Sequence, residues 1–321
     1  MIFYHLYAIT LAFILDLVIG DPPDWPHPVK WIGSLINKLD EALNKGARKK
    51  RNGLFMLLLV LLLVLAATGI TVYLAYRIHP AAGIIWEALL ISTTIAQKSL
   101  RRAGMDVYRP LNTRDMAKAR RKLSYIVGRD TADLDEPEIV RGTVETVAEN
   151  TSDGITAPLF WAAIGGAPLA MMYRAINTCD SIVGYQNDKY ADFGWASAKL
   201  DDLVNWIPSR LTGFLMLIGS KSVHNGWKGR WAILFKDAHK HPSPNSGWCE
   251  AGVAAILGVQ LGGRNMYKGV VSNRARMGLP IVPLEAIHIK KTITIMHRTS
   301  FLFLLMLWLG GLLFAITNSW L

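Results

Sequence analysis

The amino-acid sequence predicts an all-α fold: a polytopic helical membrane protein with broken or re-entrant helices and cytoplasmic helical inserts. Three observations carry that prediction. Long uncharged runs recur along 321 residues that are 51% hydrophobic. The net charge of +11 is gathered into stretches between those runs rather than spread evenly. One apolar segment is interrupted at its middle by Gly165-Gly166-Ala167-Pro168, a run that breaks helical hydrogen bonding.

Taken in order, Phe3 to Gly20 is apolar except for His5 and Asp16. This run lacks the basic start and the small-residue cleavage site of a secretory leader, so it reads as a retained membrane helix. Asp16 inside it is costly unless it faces a cavity or a partner. Gly20-Asp21-Pro22 and His27-Pro28 then close the helix, with Asp21 placed for a turn. A first basic stretch, Lys38 to Arg51, follows. Gly53 to Tyr76 runs 24 residues without a charge, enough to cross a hydrocarbon core of roughly 30 Å. Arg77-Ile78-His79-Pro80 is a minimal turn into Pro80–Gln97, apolar except for Glu87.

Lys98 to Arg141 is the second basic stretch. Within it, Thr113 to Val127 has helical spacing. Pro137 opens a further helix whose Val140, Val144 and Val147 mark the packed face. Ile155 to Ile176 is the interrupted segment. Each half is about 10 residues, or about 15 Å of helix, too short to cross alone. Leu203 to Gly219 carries Arg210 and is a weak crossing helix. Lys221 to Arg298 is the third basic stretch. Inside it, Gly247 to Leu261 reads as a helix of small and apolar residues closed by Gly262-Gly263. Ser300 to Thr317 is the last uncharged run. By the positive-inside rule the basic stretches are cytoplasmic. The expectation is one membrane-integrated domain, 1–321, with inserts at about 98–154 and 221–298. No nucleic-acid motif is present, and two cysteines are too few for a disulfide framework or a zinc site.

Polar clusters carry the chemistry. Asn150-Thr151-Ser152-Asp153-Gly154 and Asn177-Thr178-Cys179-Asp180-Ser181 share one pattern and bracket the interrupted segment. Glu145 and Glu149 are four apart and share a helix face, where like charges repel and invite a cation. Asp201-Asp202 and Asn205 add a third acidic group. Oxygen ligands of this kind suit Mg²⁺, which keeps waters and bridges to phosphate. Lys236, His239, Lys240 and His241 lead into Ser243-Pro244-Asn245-Ser246, at the start of the helix that reaches Glu250. A helix start presents unpaired N–H groups and a positive dipole end, a ready anion site. Phosphate loops, dinucleotide fingerprints and serine elbows are missing. These residues point to metal-assisted transfer on a phosphorylated or nucleotide substrate. A Mg²⁺-dependent phosphotransferase, a prenyl-transferase-like enzyme and a non-enzymatic sensor or transporter remain open alternatives.

Several blocks together resemble the CobD/CbiB family. They are Asp16-x-x-x-Gly20-Asp21-Pro22, His27-Pro28-Val29, Glu145-Thr-Val-Ala-Glu149-Asn150-Thr-x-Asp153-Gly154, and Asn177-Thr-x-Asp180-Ser181-x-Val183-Gly184-Tyr185. To these are added Asp201-Asp202-x-x-Asn205-x-x-Pro208-x-Arg210 and His241-x-Ser243-Pro244-Asn245-Ser246-Gly247-x-x-Glu250. A related branch resembles a membrane protein of β-lactamase-induction signalling; the full set of Asp, Asn and His blocks favours the biosynthetic branch. The resemblance implies an adenosylcobinamide-phosphate synthase of cobalamin biosynthesis, an ATP-dependent acid–amine ligase. It would join the free propionate of adenosylcobyric acid to (R)-1-aminopropan-2-ol or its O-phosphate.

On that reading Glu149, Asp153, Asp180, Asp201 and Asp202 are the expected Mg²⁺ ligands, and His241, Glu149 and Asp153 the expected catalytic groups. Asp21, His27, Asn150, Asn177, Tyr185, Lys236, Ser243, Asn245, Ser246 and Glu250 are expected to hold substrate or phosphate. Trp161, Tyr185, Trp195 and Trp248 are expected to line a corrinoid cavity. Cys179 and Cys249 fill free positions of their motifs and are expected to be non-catalytic. ATP and Mg²⁺ are the implied cofactors and the corrinoid a substrate. The expected location is a bacterial inner membrane, in contact with lipid, with the site facing the cytoplasm and room for association with other late-pathway membrane enzymes. The expected crossings are near residues 3–20, 53–76, 80–97 and 300–318. Ile155–Ile176 should break at Gly165-Gly166 and return, so that both Asn-Thr-x-Asp motifs reach cytoplasmic ATP. Five Asp against two Lys over residues 177–202 argue the other way, for an outer loop and six crossings.

Overall fold

The computed structural model describes residues 2–22 and 25–318. In chain order the helices are α1 (Ile2–Val18), α2 (Pro28–Leu43), α3 (Lys49–Ile78), α4 (Pro80–Ser92), α5 (Gln97–Asn112), α6 (Met116–Leu123) and α7 (Glu136–Thr151). A π-helical turn, Ser152–Thr156, leads into α8 (Ala157–Val183), α9 (Trp195–Val204), α10 (Trp206–Gly219), α11 (Trp227–Asp237) and α12 (Ser246–Leu257). An antiparallel hairpin of β1 (Leu261–Tyr267) and β2 (Val270–Met277) precedes α13 (Ile287–Asn318). The all-α expectation therefore holds, with the hairpin as its one β element among the described residues.

The chain forms two compact units. The first holds residues 1–98, 157–205 and 304–321; the second holds 99–156 and 206–303. Among the described residues, three stretches are long and apolar enough to cross a membrane: Lys49–Ile78, Glu136–Val183 and Ile287–Thr317. Leu54, Phe55, Leu58 and Leu62 on α3, and Leu309, Leu313 and Phe314 on α13, are exposed, as lipid-facing side chains are. By length, α1 and α4 fall short of the crossings expected at 3–20 and 80–97: they have 17 and 13 residues.

In the first unit a core of Ile32, Ile36, Met56, Val60, Met171, Cys179 and Phe193 packs α2, α3 and α8 together. Asp16 finds the partner its burial requires. Its carboxylate accepts the N–H groups of Gln97 (3.1 Å) and Lys98 (3.2 Å), the first donors of α5. Lys98 Nζ in turn donates to the carbonyls of Val18 and Ile19 at the end of α1.

The interruption in α8 is real. Gly165 (φ −148°, ψ 30°) and Gly166 (φ 63°, ψ −156°) leave the helical region, and Gly166 adopts a backbone open essentially to glycine alone. The two arms fold back on each other. Trp161 Nε1 donates to the Val204 carbonyl (3.1 Å), while Tyr173 OH, on the other arm, donates to Asn205 Oδ1 (2.8 Å). In a straight helix those two residues would stand about 18 Å apart. Ala157, Tyr173, Ile176 and Val204 share one apolar cluster. Glu87, fully buried, holds the bend: its carboxylate accepts Ala167 N–H (3.0 Å) and Tyr76 OH (2.7 Å) and lies 3.1 Å from His5 Nδ1. A buried carboxylate thus caps the first free N–H of the returning arm.

In the second unit α12 is buried along its whole length, as a helix that is apolar all round must be. Val140, Val144 and Val147 of α7 are buried as their spacing predicts. The expected end of α12 needs correction. The helix stops at Gly258 (φ 71°), not at Gly262-Gly263, which open β1 instead. The Gly258 carbonyl accepts the N–H groups of Ile281 and Val282 at 3.0 Å, which anchors the stop. The hairpin turn is Lys268-Gly269, both with positive φ (51° and 78°), the two-residue turn that matches strand twist.

Candidate functional site

Two polar clusters are built, one in each unit. In the second unit, α12 starts on a loop organised by Ser243. Its Oγ accepts the N–H groups of Asn245 (3.2 Å) and Ser246 (3.3 Å), capping the helix. Ser243 N–H donates to His241 Nδ1 (3.0 Å). Ser246 Oγ donates to Glu149 Oε1 (2.8 Å), tying α12 to α7. Gly247 is required here, because a Cβ would lie 2.1 Å from the Ala238 carbonyl and 2.8 Å from His241 Cβ. Asn245 Oδ1 receives Ser209 Oγ and Arg210 Nη1, each at 3.3 Å.

His241 Nε2 lies 3.4 Å from Glu250 Oε1 and 3.4 Å from Arg274 Nη1. Glu250 is 1% exposed. Burial, with the charges of Glu145 and Glu149, pushes its carboxyl well above the usual range. Burial also lowers His241, with Arg274 adding to it and Glu149 opposing. Both shifts run toward the uncharged forms. A neutral imidazole is the form that can accept a proton.

Beside this pair, Glu145 is held by Arg129, lies 3.9 Å from Arg141 Nη1, and accepts Gly262 N–H (2.8 Å). Asn265 Oδ1 takes Arg129 and Arg141 (3.2 Å). Sequence reasoning missed Arg129, Arg141, Asn265 and Arg274. The available signal was the hairpin, Met266-Tyr267-Lys268-Gly269-Val270-Val271, which folds Asn265 and Arg274 toward α7 and α12 in this unit. Asp153 lies in the π-helical turn, a distortion that recurs at functional sites. The turn is secured by Thr156 Oγ1 against Thr212 Oγ1 at 2.5 Å. Asn150 donates to its own helix, at the Thr146 carbonyl (2.9 Å). Lys236 is exposed on α11. Trp248 is 5% exposed and packed against Phe214, Phe235 and His239. That overturns its expected place on a cavity wall: it belongs to the core. Cys249 is fully buried and its thiol is pushed up by burial and by Asp153 and Glu149, the inert condition.

In the first unit, Asp201 accepts Asn177 Nδ2 (3.3 Å) and Asn205 Nδ2 (3.0 Å). Burial and the neighbouring Asp180 charge push Asp201 up to about 7. Asp202 is also raised, by burial. Gly184 lets the chain pass tightly over Asp180, since a Cβ there would lie 1.9 Å from Asp180 Oδ1. Asp21 and His27 pair at 3.1 Å on a groove of about 320 Å³ walled by Trp25, Trp31 and Trp86. Tyr185 and Trp195 are exposed, and Lys50 Nζ sits 4.2 Å above the Trp195 ring.

Asp153 belongs to the second unit, and Asp180, Asp201 and Asp202 to the first. Among the described residues no three His, Cys, Asp or Glu side chains converge as a closed metal cage. The acidic residues fit the other manner of holding Mg²⁺, in which one or two carboxylates act together with substrate phosphate. In the first unit Asp180 and Asp201 are neighbouring carboxyls, the charge of one disfavouring that of the other.

Membrane-length helices, a bent helix pinned by a buried carboxylate, and polar clusters of carboxylate, histidine and arginine define a polytopic helical membrane protein equipped to handle charged ligands. A model of the CobD/Cbib protein family matches residues 9–296. The chain belongs to that family. A Halalkalibacterium halodurans protein described as cobalamin biosynthesis protein CobD is 54% identical over 319 residues, 99% of this chain and 100% of its own length. A Geobacter metallireducens protein of the same description is 46% identical, covering 93% of this chain and 94% of its own. A Salmonella paratyphi B protein described as cobalamin biosynthesis protein CbiB is 44% identical, covering 92% and 94%. No solved structure matches the chain.

Proposed function

We propose that this protein is an enzyme of cobalamin biosynthesis that forms an amide. It joins the propionate carboxylate of adenosylcobyric acid to (R)-1-aminopropan-2-ol or its O-phosphate, at the expense of ATP. Full-length relatives described as cobalamin biosynthesis proteins support the pathway. The observation that carries the chemistry is His241, half-buried and facing Glu250 at 3.4 Å beside the capped start of α12.

A carboxylate does not react with an amine at neutral pH and must first become a better electrophile. In the proposed sequence a carboxylate oxygen attacks the γ-phosphorus of ATP. ADP leaves and an acyl phosphate remains. The amine nitrogen then attacks the acyl carbon, the C–O bond to phosphate breaks, and inorganic phosphate departs. His241 takes the proton that the nitrogen must lose. As a base the ring takes the tautomer with its proton on Nδ1, which then donates to the Ser243 carbonyl (3.3 Å) in place of accepting the Ser243 N–H, and Nε2, beside Glu250 and Arg274, holds the free lone pair. Mg²⁺ would draw on Glu149 and Asp153, or on Asp180, Asp201 and Asp202, and would supply charge compensation for phosphate.

The chemistry assigns the reaction to the cytoplasmic side of a bacterial inner membrane, where ATP is found. Product analysis is the test. Purified protein with adenosylcobyric acid, either amine and ATP should give the amide and ADP, and Asp153→Ala should abolish product while the protein still inserts. ATP turnover or phosphate transfer without any amide would refute the reading. Full activity in Asp153→Ala would remove the acidic cluster from it.

A further inference from the structure

The second unit gathers more positive charge around β1 than its acids balance. Arg129 and Arg141 are 8% and 7% exposed, and both turn to the single carboxylate of Glu145. Arg141 is locked there: it also donates to the carbonyls of Gly262 and Arg264 (2.8 Å) and to Asn265. A cavity of about 220 Å³ opens beside it, walled by Arg141, Arg264, Arg276, Gln260 and Gly263, with Glu138 as its acid. Arg276 Nη1 is aimed by Gln260 Oε1 (3.1 Å). No hydrogen bond or ion pair engages the Arg264 guanidinium among the described residues. Gly263 sits at φ +97°, a backbone that other residues rarely adopt. Glu138 is partly occupied at the start of α7, where it accepts Asp135 N–H (3.4 Å).

Three arginines against one glutamate in its wall leave two positive charges around one small cavity. A lone carboxylate balances one of them. A phosphate dianion balances both, and its three terminal oxygens suit guanidinium forks arriving from separate directions. We propose that the pocket between α7 and the β-hairpin binds the phosphate group of a phosphorylated substrate. This rests on the reading that the enzyme uses ATP or a phosphorylated amine, and it moves the phosphate site from the start of α12, which Ser243 already caps, to the hairpin. The phosphate has two sources, the polyphosphate end of a nucleotide or the phosphomonoester of a small amine.

Titration of the full chain in detergent separates them, without corrinoid. The probes are a non-hydrolysable ATP analogue, (R)-1-aminopropan-2-ol O-phosphate and propionate. Either phosphate probe should bind, the one that binds naming the source, and propionate should bind at least tenfold more weakly. Arg264→Ala and Arg276→Ala should each weaken phosphate binding roughly tenfold. Arg264→Lys should recover only part, because it restores charge and not the fork. Both side chains are exposed, so an unchanged melting temperature confirms folding of each variant. Unchanged phosphate affinity in the folded double variant, or propionate binding as tight as phosphate, overturns the proposal. The two readings fail separately. Amide synthesis with unaltered phosphate affinity in the variants would sink the pocket and spare the function. Arginine-dependent phosphate binding in a chain that makes no amide would do the reverse.

Discussion

Replacing Gly166 with alanine should be costly on two counts. The residue sits at φ 63°, ψ −156°, a conformation that costs a non-glycine residue about 1–3 kcal/mol. The added Cβ would also lie 1.9 Å from Glu87 Oε1 and 2.8 Å from His5 Cε1. The carboxylate must therefore move away, and Ala167 N–H loses its acceptor inside an apolar unit. A hydrogen bond to a charged group contributes about 1.5–3 kcal/mol. Together these give a loss of roughly 3–5 kcal/mol. At about 2–4 °C per kcal/mol, the melting temperature in detergent should fall by roughly 10 °C. Glu87→Gln supplies the control. In that background the clash meets a neutral, already weakened acceptor, so Gly166→Ala should cost less than in the native chain. A loss below about 1 kcal/mol, or strictly additive costs in the two variants, would refute the claim that Glu87 pins the bend.

Asp201 should make stability depend on pH. Its folded value of about 7 lies above an unfolded value of about 3.9, so the folded state keeps a proton that the unfolded chain releases. That contribution is complete below about pH 4 and is lost as the pH rises through about 7. In metal-free buffer the native chain should therefore lose thermal stability over that interval relative to Asp201→Asn, and parallel profiles would count against it. Ser243→Ala removes the acceptor for two N–H groups at the start of α12 and should destabilise by about 1 kcal/mol; a denaturant midpoint unchanged from the native one would show that the cap contributes nothing. Arg129→Ala removes the nearer cation of Glu145 and one of the two guanidinium donors to Asn265 and should cost about 3–5 kcal/mol, read by the same thermal assay, whereas a cost under about 1 kcal/mol would mean that water or Arg141 replaces it.

Some elements are legible in sequence because the cause is local. α3 and the last membrane-length helix follow from uninterrupted apolar runs, and the buried face of α7 from the spacing of Val140, Val144 and Val147. The bend in α8 is legible for the same reason: paired glycines ahead of Pro168 withdraw both side-chain support and a helical donor. Its partner is not. Glu87 is 80 residues away from Ala167, and nothing in either segment names the other. The end of α12 shows how tertiary contact chooses between equal local signals. Gly258 and Gly262 can each supply a positive φ, and only the first has a carbonyl that Ile281 and Val282 reach.

The candidate site divides along the same line. Acidic and amide residues announce themselves, since Asn-Thr-x-Asp occurs twice and Glu145 and Glu149 fall on one helix face. The cations that balance them do not, because in a chain of net charge +11 an arginine reads first as a topology signal. Arg129, Arg141 and Arg274 gain meaning only once Lys268-Gly269 turns the chain back, setting Gly263 opposite Arg274 and Arg264 opposite Asn273. β2 also lacks a clean alternation, with Val270 and Val271 both exposed, so periodicity is silent about it. The strand is held instead from outside: Asp130 accepts the N–H groups of Lys268 (3.0 Å) and Gly269 (2.8 Å), and Asp237 accepts that of Gly278 (2.8 Å). The two carboxylates fasten the hairpin at its tip and its base. Arg274 is aimed at His241 by Tyr267 OH, which accepts its Nη2 (3.0 Å) across the hairpin that these carboxylates fasten, which is why the acids of this site can be read from sequence and its arginines need the fold.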